Sequence, residues 1–515
     1  MIVIFPVLRY NSIGDTMKTI KSTIIFLLTA AVLITSIPLA FNAESEQGKV
    51  YPYITDVASY YSEVENYIAE QLREQKASID ISQYGVPRDD LFYIYRSVMF
   101  DNPDIFYVDA SYIPYKFDRM GYIAILTPQY IFTRSKIPSY IKKFNSACKS
   151  YIKGIDSSMS DLQKALTLHD RIVMGCKYKN ENDKSFTAYN VLVTGKGVCE
   201  GYARAYSYLL SLVGVDSKCL NNESKGHLWN LVKIGGNWYH VDVTSDDPLP
   251  DELGYVRHKY FLLSDAKLLN STSGSHRGFK DDTTYSSAFS CSSTKYNSSF
   301  FRNITSQIVC YKKAYYYFNN NYKKKLYSAL IKRKGSSKKV IKVIKDVWRY
   351  SNGTKARNSY CKLCELNNFI YFNSKRKIFR YNLKTGKIKR IMTLPSFIKT
   401  NYIGVNAKSS AIYAHRKNRN LTKSKISKVI KVSTNNKVTV IPFLKYTKKT
   451  IKKGKSFKLK VYYGKGKITY KSSNTKVARV SSKGRVKAKK KGSCTITAVR
   501  SGKTMKCKLK VVSGQ

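Results

Sequence analysis

The chain has 515 residues, which is too long for one compact core, so several domains are expected. Hydrophobic residues make up 43% of it and aromatic residues 13%, which excludes a wholly disordered protein despite a net charge of +58. Ten cysteines are too few for a disulfide scaffold.

The positive charge is concentrated in the C-terminal part of the chain. Residues 301–515 hold 59 lysines and arginines against two acids, whereas residues 1–300 hold 32 basic and 31 acidic residues. A segment this basic is expected to bind anionic polymers. No fold that reads bases or stacks nucleotides is recognisable, so nucleic acid is not an expected partner.

The first 43 residues are typical of a secretory signal peptide. Two lysines precede an apolar run, and small residues that allow cleavage follow it. These features are Lys18 and Lys21, the run over residues 24–39, and Ala40 and Ala43. The alternative is an uncleaved membrane anchor, because the run approaches the ~17 to 20 residues that span a bilayer. No later run is that long, so the rest is expected to be secreted, extracellular or cell-wall associated, with no transmembrane segment after signal cleavage.

Residues 44–160 are predicted to form a mainly helical N-terminal region. Apolar residues recur there every three or four positions, as on one face of a helix. The predicted helices cover residues 57–79, 91–100 and 137–152, and the pattern resumes over 161–174. A short extended stretch is predicted over residues 122–130, and Asn102-Pro103 is expected to end the helix before it.

Residues 161–290 combine helical and strand patterns and are predicted to form an α+β catalytic core. A helix is predicted over 198–213, and strands over 228–234 and 238–244. Gly235-Gly236 separates the two strands and is a strong signal for a β-hairpin. Residues 264–306 are rich in serine, threonine and glycine, which is typical of the end of a unit followed by a linker.

Residues 300–435 are predicted to form a basic, propeller-like β-repeat region. Aromatic clusters recur at residues 315–318, 370–372 and 411–413. Their spacing of roughly 40 to 55 residues is typical of propeller blades or β-meanders. Three copies are too few for an ordinary closed propeller of about four to eight blades, so an irregular repeat is predicted.

Residues 438–513 contain six short alternating segments separated by glycine turns, which predicts a small β-sandwich. Four segments of this stretch resemble the bacterial Ig-like group 2 repeat, namely residues 472–474, 477–480, 484–486 and 492–498. That resemblance implies a surface or adhesive module. Two pairs of cysteines are candidates for disulfides, Cys494 with Cys507 and Cys361 with Cys364.

Three residues form a candidate catalytic set. Cys199 is predicted in the first turn of a helix, where unpaired N–H groups and the helix dipole favour a thiolate. If the glycine pair forms a two-residue hairpin, Trp229 faces Asp242 and His227 faces Thr244. His227 and Asp242 then become diagonal neighbours on one face of the sheet. Cys199, His227 and Asp242 would then be nucleophile, base and orienting acid, and Trp229 would line the site. The glycines before Cys199 are expected to give a substrate access to the backbone.

The same residues carry a resemblance to a known family. Residues 198–203, His227 with the following 229–230, and residues 238–242 resemble the transglutaminase-like superfamily, whose core is similar to that of papain-like cysteine proteases. The resemblance covers about 200 residues.

The resemblance implies that Cys199 is the nucleophile, His227 the base and Asp242 the orienting acid. It also implies a side-chain oxyanion donor upstream of the nucleophile, for which the candidates are Tyr189, the preferred one, and Asn190. Neither is the expected tryptophan or glutamine, so the family pattern fails at that position. Nothing in the sequence requires a metal ion or another cofactor.

The predicted protein is multidomain: a helical N-terminal region, an α+β transglutaminase-like (papain-like) core, an irregular all-β repeat region and a C-terminal Ig-like β-sandwich. The expected function is an exported cysteine enzyme that cleaves amide bonds of a protein or peptide through an acyl-enzyme. Water as acceptor makes it a peptidase or amidase, and a lysine amine makes it a crosslinking transglutaminase. The basic β modules are expected to hold it on anionic cell-envelope polymers. The alternative is a catalytically inactive scaffold that serves as a surface binding or adhesive protein.

Overall fold

The computed structural model describes residues 56–513 apart from 272–273, 282–286, 325–326, 351, 356–359 and 419–423. The predicted signal peptide, residues 1–43, lies outside these described residues. The chain divides into two compact units. The first comprises Met1–Ile155, Cys176–Thr244 and Tyr260–Ser299, and the second comprises Asp156–Gly175, Ser245–Lys259 and Phe300–Gln515.

Seven α-helices occur in the part of the chain that the structure describes. They are α1 (Asp56–Arg73), α2 (Arg88–Asp101), α3 (Ile137–Ile152), α4 (Asp161–Gly175), α5 (Cys199–Ser211), α6 (Val243–Asp246) and α7 (Asp265–Leu269). Within the described ranges, no helix combines the length and the apolar character needed to cross a membrane.

The N-terminal part of the first unit is helical, as predicted. Helix α2 begins after Pro87 and ends at Asp101, just before Asn102-Pro103. Its buried residues follow the spacing of an amphipathic helix, namely Leu91, Ile94, Tyr95, Val98 and Met99. Helix α1 is shorter than predicted, because the chain turns into a small antiparallel sheet. That sheet has the order β1-β3-β2, with β1 (Ile79–Asp80), β2 (Tyr115–Phe117) and β3 (Ile123–Leu126).

The core of the first unit is a four-stranded antiparallel sheet with helix α5 packed on it. The strands are β4 (Ser217–Asn222), β5 (His227–Ile234), β6 (Asn237–Val241) and β7 (Phe261–Leu263), paired in that order. The predicted hairpin is confirmed: Gly235 and Gly236 have φ values of 57° and 83°, the left-handed pair that a tight two-residue turn requires. The register pairs Ile234 with Asn237 and Asn230 with Val241.

The second strand of the hairpin ends earlier than predicted. Strand β6 stops at Val241, and helix α6 begins at Val243, so Thr244 is helical and does not pair with His227. The β6–β7 register shifts between His240 and Val241. The N–H of Asp242 then donates to the carbonyl of Tyr260 at 3.0 Å.

The segment predicted as the end of a unit and a linker contributes to the core of the first unit. Helix α7 is capped by Ser264, whose hydroxyl accepts from the N–H of Lys267. Phe279, Phe289 and Cys291 are buried against strands of the sheet. Serine and glycine occur there because the chain runs through short turns, so its buried side chains have no periodicity that the sequence could show.

Three four-stranded antiparallel sheets form most of the second unit. The first sheet contains β8 (Val309–Tyr311), β9 (Ala314–Tyr322), β10 (Tyr327–Lys334) and β11 (Ser337–Ile344). The second contains β12 (Leu363–Leu366), β13 (Phe369–Asn373), β14 (Lys377–Asn382) and β15 (Ile388–Thr393). The third contains β16 (Thr400–Lys408), β17 (Ala411–Asn418), β18 (Ser424–Val432) and β19 (Val438–Val440). Each sheet pairs its strands in chain order. The repeated aromatic clusters lie on β9, β13 and β17, the second strand of each sheet, which confirms the predicted repeat.

Two hydrophobic cores join these sheets. Leu330 and Phe372 lie in one core, between the first and second sheets, and Tyr371 and Ile412 lie in another, between the second and third. Helix α4 also belongs to the second unit, although the sequence analysis placed it in the catalytic core. The exact domain boundaries stay a prediction.

The C-terminal part of the second unit is built from short strands around its own core, as predicted. The strands are β20 (Phe443–Leu444), β21 (Lys448–Lys452), β22 (Ser456–Lys458), β23 (Val461–Tyr462), β24 (Thr469–Ser472), β25 (Ala478–Val480), β26 (Arg485–Ala488), β27 (Gly492–Arg500) and β28 (Lys503–Val512). They form sheets of order β21-β28-β27-β24 and β22-β26-β25, with a β20-β23 pair. Val486 and Ile496 lie in the core between them.

No disulfide joins cysteines in the described part of the chain. Cys494 and Cys507 are on adjacent strands, but their register partners are Leu509 and Ile496. Cys361 and Cys364 pack into the two different cores between the repeat sheets. Neither candidate pair is therefore bonded in this structure.

Candidate active site

Cys199 is the first residue of helix α5, as predicted. The preceding Val198 is extended, with φ −114° and ψ −179°, and its carbonyl accepts from the N–H of Tyr202 at 3.0 Å. The N–H groups of Cys199 and the next two residues precede that first bond of the helix. Together with the helix dipole they favour negative charge on the Cys199 sulfur.

Two glycines close to Cys199 pack tightly against neighbouring residues, and substrate access through the glycines before Cys199 stays a prediction. A Cβ added to Gly197 would lie 2.5 Å from a methyl of Val191, and one added to Gly201 would lie 2.7 Å from the carbonyl oxygen of Ser185. Both contacts are too short for any side chain. The absence of side chains lets the N-terminus of α5 sit against the turn that precedes it.

The structure brings Cys199, His227 and Asp242 together. Nε2 of His227 lies 2.7 Å from Oδ2 of Asp242. The thiol of Cys199 is within hydrogen-bonding reach of the His227 ring, and its sulfur lies 4.0 Å from the carbonyl oxygen of Gly226. The Asp242 side chain is 1% exposed and that of His227 is 12% exposed, so the pair is shielded and its histidine still reaches the surface.

The electrostatics of this set favour a charged histidine. Burial lowers the pKa of His227, but the charge of Asp242 and hydrogen bonds to Asp242 and Cys199 raise it, to about 10. Burial also raises the pKa of Asp242, but the charge of His227 and hydrogen bonds from the surrounding histidines hold it well below its usual range. The imidazolium of His227 therefore lies between a carboxylate and the Cys199 thiol, where it can exchange a proton with the sulfur.

The Trp229 side chain holds the His227 ring in position. Its ring stacks on that of His227, with centroids 5.6 Å apart and planes at 25°. Its Nε1 donates to Nδ1 of His240 at 3.0 Å, and Nε2 of His240 lies 2.8 Å from Asp265. His240 must therefore accept at Nδ1 and donate at Nε2, which makes it neutral. Trp229 is 1% exposed, so it packs beneath the site and does not line it as predicted.

His276 also bonds to Asp242, which the sequence analysis missed. Its Nε2 lies 2.7 Å from Oδ2 of Asp242, and the residue is fully buried. The residue lies in the serine-rich segment without periodicity, where no sequence signal set it apart from other histidines.

A cleft of about 370 Å³ opens at Cys199 and His227. Helix α2 supplies much of its wall through Phe92, Tyr95, Arg96, Met99 and Phe100. The Arg96 guanidinium pairs with Glu223 at 2.5 Å, next to the turn that leads into His227. The helical N-terminal region therefore shapes the cleft.

Two models of known protein families match parts of the chain. Residues 149–243 match the transglutaminase-like superfamily, and residues 432–511 match the bacterial Ig-like domain (group 2). The first match contains Cys199, His227 and Asp242. The chain carries a transglutaminase-like domain and a bacterial Ig-like domain.

Several solved structures are similar to parts of the chain at low TM-scores. They include a TGase, at 13% identity and TM-score 0.18, covering 26% of this chain and 44% of that one. Domains 4 and 5 of the S-layer protein SbsC match at 18% identity and TM-score 0.14, covering 26% and 90%. The extracellular domain of a hybrid two component system from B. thetaiotaomicron matches at 11% identity and TM-score 0.18, covering 57% and 44%. The chain thus spans less than half of that TGase. A comparison with curated proteins gave no match.

The candidate oxyanion donors of the transglutaminase-like domain are engaged elsewhere. Tyr189 stacks on Phe106 with ring centroids 4.7 Å apart and also packs against Phe132 and Tyr140. The Asn190 amide donates to the carbonyl of Lys196 at 2.9 Å, which closes the turn before Cys199. Neither is among the residues that line the cleft. An oxyanion role for Tyr189 stays a prediction that no contact supports.

Tyr178 is a second residue of the transglutaminase-like domain that the sequence analysis missed. It forms a parallel bridge with Gly197, two residues before the nucleophile. Burial raises the pKa of its hydroxyl to about 12, with smaller contributions from nearby Cys199 and Asp242. An isolated bridge of this kind leaves no periodic pattern in the sequence.

Three groups of side chains in the described ranges place donor atoms close enough for a metal ion. They are His169, Asp170 and His258; His227, Asp242 and His276; and His240, Asp265 and Cys291. In each group the histidine nitrogens bond to carboxylate oxygens at 2.7 to 2.9 Å. These hydrogen bonds account for the clusters without an ion, and the expectation of a metal-free enzyme stays a prediction.

Proposed function

We propose that this protein is an exported cysteine enzyme that transfers the acyl group of an amide through an acyl-enzyme. The observation that carries the proposal is the contact of Cys199, His227 and Asp242 inside a transglutaminase-like domain. Each of the three has a distinct chemical role, and the open cleft beside them admits a peptide-sized group.

The chemistry follows from the geometry. The Cys199 thiolate attacks the amide carbon and forms a carbon–sulfur bond, and the charge passes to the carbonyl oxygen. The His227 imidazolium gives its proton to the leaving nitrogen as the carbon–nitrogen bond breaks, which leaves a thioester. A second nucleophile, deprotonated by neutral His227, then attacks the thioester and releases the thiolate. Asp242 orients the imidazole and stabilises its charged form.

The second nucleophile defines the activity. Water gives hydrolysis, as in a peptidase or amidase, and a lysine amine gives a crosslink with release of ammonia from a glutamine donor. Cys199, His227 and Asp242 serve both reactions equally, so the proposal covers both.

The first test compares two cysteine variants on glutamine-containing peptides offered with a biotinylated primary amine. Cys199→Ala is expected to lower product formation by about 10⁴-fold or more, because no other group can form the thioester. Mass spectrometry separates the products: amine incorporation, glutamine hydrolysis or backbone cleavage. Cys219→Ala is the matched control, since burial raises the pKa of that thiol to about 12.

Two outcomes would contradict the enzyme proposal. One is equal product formation by wild type and Cys199→Ala. The other is a Cys199 thiol that reacts with iodoacetamide no faster near neutral pH than the same thiol in unfolded protein. Either result would favour the alternative, an inactive scaffold that binds at the cell surface.

We also propose that the basic C-terminal part retains the enzyme on anionic polymers of the cell envelope. Residues 301–515 carry 59 basic residues against two acids, and strand β28 alternates exposed lysines with buried residues. Attraction between exposed charges and a polyanion is long-range and is screened by salt.

Binding of the full-length chain to immobilised poly-glutamate should fall steeply as salt rises from low to moderate concentration. A neutral dextran matrix is the control and should retain none of the protein. Retention that does not change with salt would contradict the charge mechanism. The full chain is needed, because a chain ending near residue 300 would lose most of the unit to which α4 belongs.

A further inference from the structure

We propose that His276 is a positioning residue that shares the Asp242 carboxylate with His227 and so sets the pH range of the Cys199–His227 pair. The inference rests on the proposed function, because it assigns a role within the same site. It concerns a histidine 34 residues beyond Asp242 in sequence.

Two imidazoles meet one carboxylate oxygen. Nε2 of His227 and Nε2 of His276 each lie 2.7 Å from Oδ2 of Asp242. Their ring centroids are 5.2 Å apart and the planes are inclined by 68°, so the two rings approach the oxygen from different directions. A carboxylate oxygen has two lone pairs and can accept both bonds at once.

The turn that carries His276 is held in place by a buried amide. Nδ2 of Asn222 donates to the carbonyl of Ser275 at 3.1 Å and to that of Arg277 at 3.0 Å. These two carbonyls flank His276, and Asn222 is the register partner of His227 between β4 and β5. The same strand pair therefore sets the positions of both histidines.

The contact with Asp242 orients the His276 ring. Its Nδ1 has no hydrogen-bond partner among the described residues and is buried. The ring meets the Trp229 indole edge-on, with centroids 5.0 Å apart. A buried polar nitrogen without a partner costs stability, so packing alone does not explain a histidine here.

The second donor changes the basicity of Asp242. A carboxylate that accepts two hydrogen bonds holds a proton less readily than one that accepts a bond from a single imidazole. His276 therefore lowers the pKa of Asp242, which stays ionised at lower pH. It also lowers the pKa of His227, because Asp242 then stabilises the imidazolium less strongly. Loss of the His276 N–H should raise the pKa of both groups, and this sign is the same whether His276 is neutral or charged.

The other titratable groups around this set leave that sign unchanged. Tyr178 faces it from the segment before α5, and Cys199 faces it from α5 itself. Tyr260 faces it from the residue before β7, and His240 faces it from β6. Asp265 and Lys280 form an ion pair next to His240, with Nζ of Lys280 3.0 Å from Oδ2 of Asp265, so their charges offset each other. Each of these groups is present in wild type and in the variants proposed below.

The test measures alkylation of Cys199 by iodoacetate across pH. This anion reacts fastest with a thiolate that has an imidazolium beside it, so the profile has an acid limb and an alkaline limb. His276→Leu should move the alkaline limb, which reports loss of the His227 proton, upward by about one pH unit, the effect expected from one hydrogen bond to a charged group. His276→Gln, which places an N–H near the same point, should restore the wild-type profile.

The outcomes separate this inference from the proposed function. Slow, unfolded-like alkylation of wild-type Cys199 would overturn the proposed function. Two results together would overturn the role of His276 alone. They are fast alkylation of wild type and an alkaline limb of the pH profile that does not shift in a folded His276→Leu variant.

A second measurement keeps the inference testable if the leucine variant does not fold. The chain has six histidines, so their ring N–H signals can be assigned by NMR with single variants. Wild type should show two ring N–H protons protected by bonds to a carboxylate at the site, and His276→Gln should remove one of them. A single protected proton in wild type would overturn the proposal.

Discussion

Asp242→Asn is expected to lower the rate of acyl transfer by about 10³- to 10⁴-fold, the loss typical when the acid of such a triad becomes an amide. The change keeps the size of the side chain and one acceptor oxygen. It removes the charge that stabilises the His227 imidazolium, and the new amide can hold the ring in the wrong tautomer. Rates of wild type and variant on the peptide identified with Cys199→Ala give the measurement.

The same change has a predicted pH signature. The charge of Asp242 raises the pKa of His227 to about 10 against the effect of burial. Without that charge burial dominates, so the pKa should fall below its ordinary value near 6.5 and the imidazolium should be absent at neutral pH. Alkylation of Cys199 by iodoacetate near neutral pH should fall with it.

Asp216→Asn is the matched control for this prediction. Asp216 lies in the same unit, and its side chain is 72% exposed, so loss of its charge should leave the rate within about two-fold. An Asp242→Asn variant that retained wild-type activity would show that Asp242 is only a structural residue.

Trp229→Ala is expected to destabilise the first unit by about 3 to 5 kcal/mol, the usual range for removal of a fully buried tryptophan. The indole packs in the core of this unit with Leu231 and Phe279. It also supports the His227 ring and donates to His240. Because the chain has two units, denaturant unfolding should be followed by hydrogen exchange in β5, which reports the first unit alone.

Two further variants separate the contributions of Trp229. Trp238→Ala is the control for the substitution itself, because Trp238 is only partly buried and should cost less. Trp229→Phe keeps an aromatic ring but leaves Nδ1 of His240 without its donor, which should cost about 1 to 3 kcal/mol. Equal losses for Trp229→Ala and Trp238→Ala would contradict the central packing role of Trp229.

The sequence predicted the triad because each part of it depends on local structure. Cys199 follows from a helix start, and the proximity of His227 to Asp242 follows from a hairpin with a two-residue glycine turn. Both signals span fewer than 20 residues. The same logic predicted the second strand of each repeat sheet from its aromatic cluster.

The remaining site residues could not be predicted, because non-local contacts place them. Asn222 holds the turn that places His276 beside Asp242, and an isolated bridge to Gly197 places Tyr178 near Cys199. The premature end of β6 depends on its shift against β7, which no pattern within the hairpin contains.

Helix α2 forms part of the cleft wall but lies outside the part of the chain that matches the family model. The family match covers residues 149–243, which include Cys199, His227 and Asp242. The cleft residues Phe92, Arg96 and Phe100 lie before this range. Substitutions in α2 are therefore expected to change the shape of the cleft and to leave the position of the thiol unchanged. A chain that began at residue 149 would lack this wall, so Cys199 and His227 would lie at a more open surface.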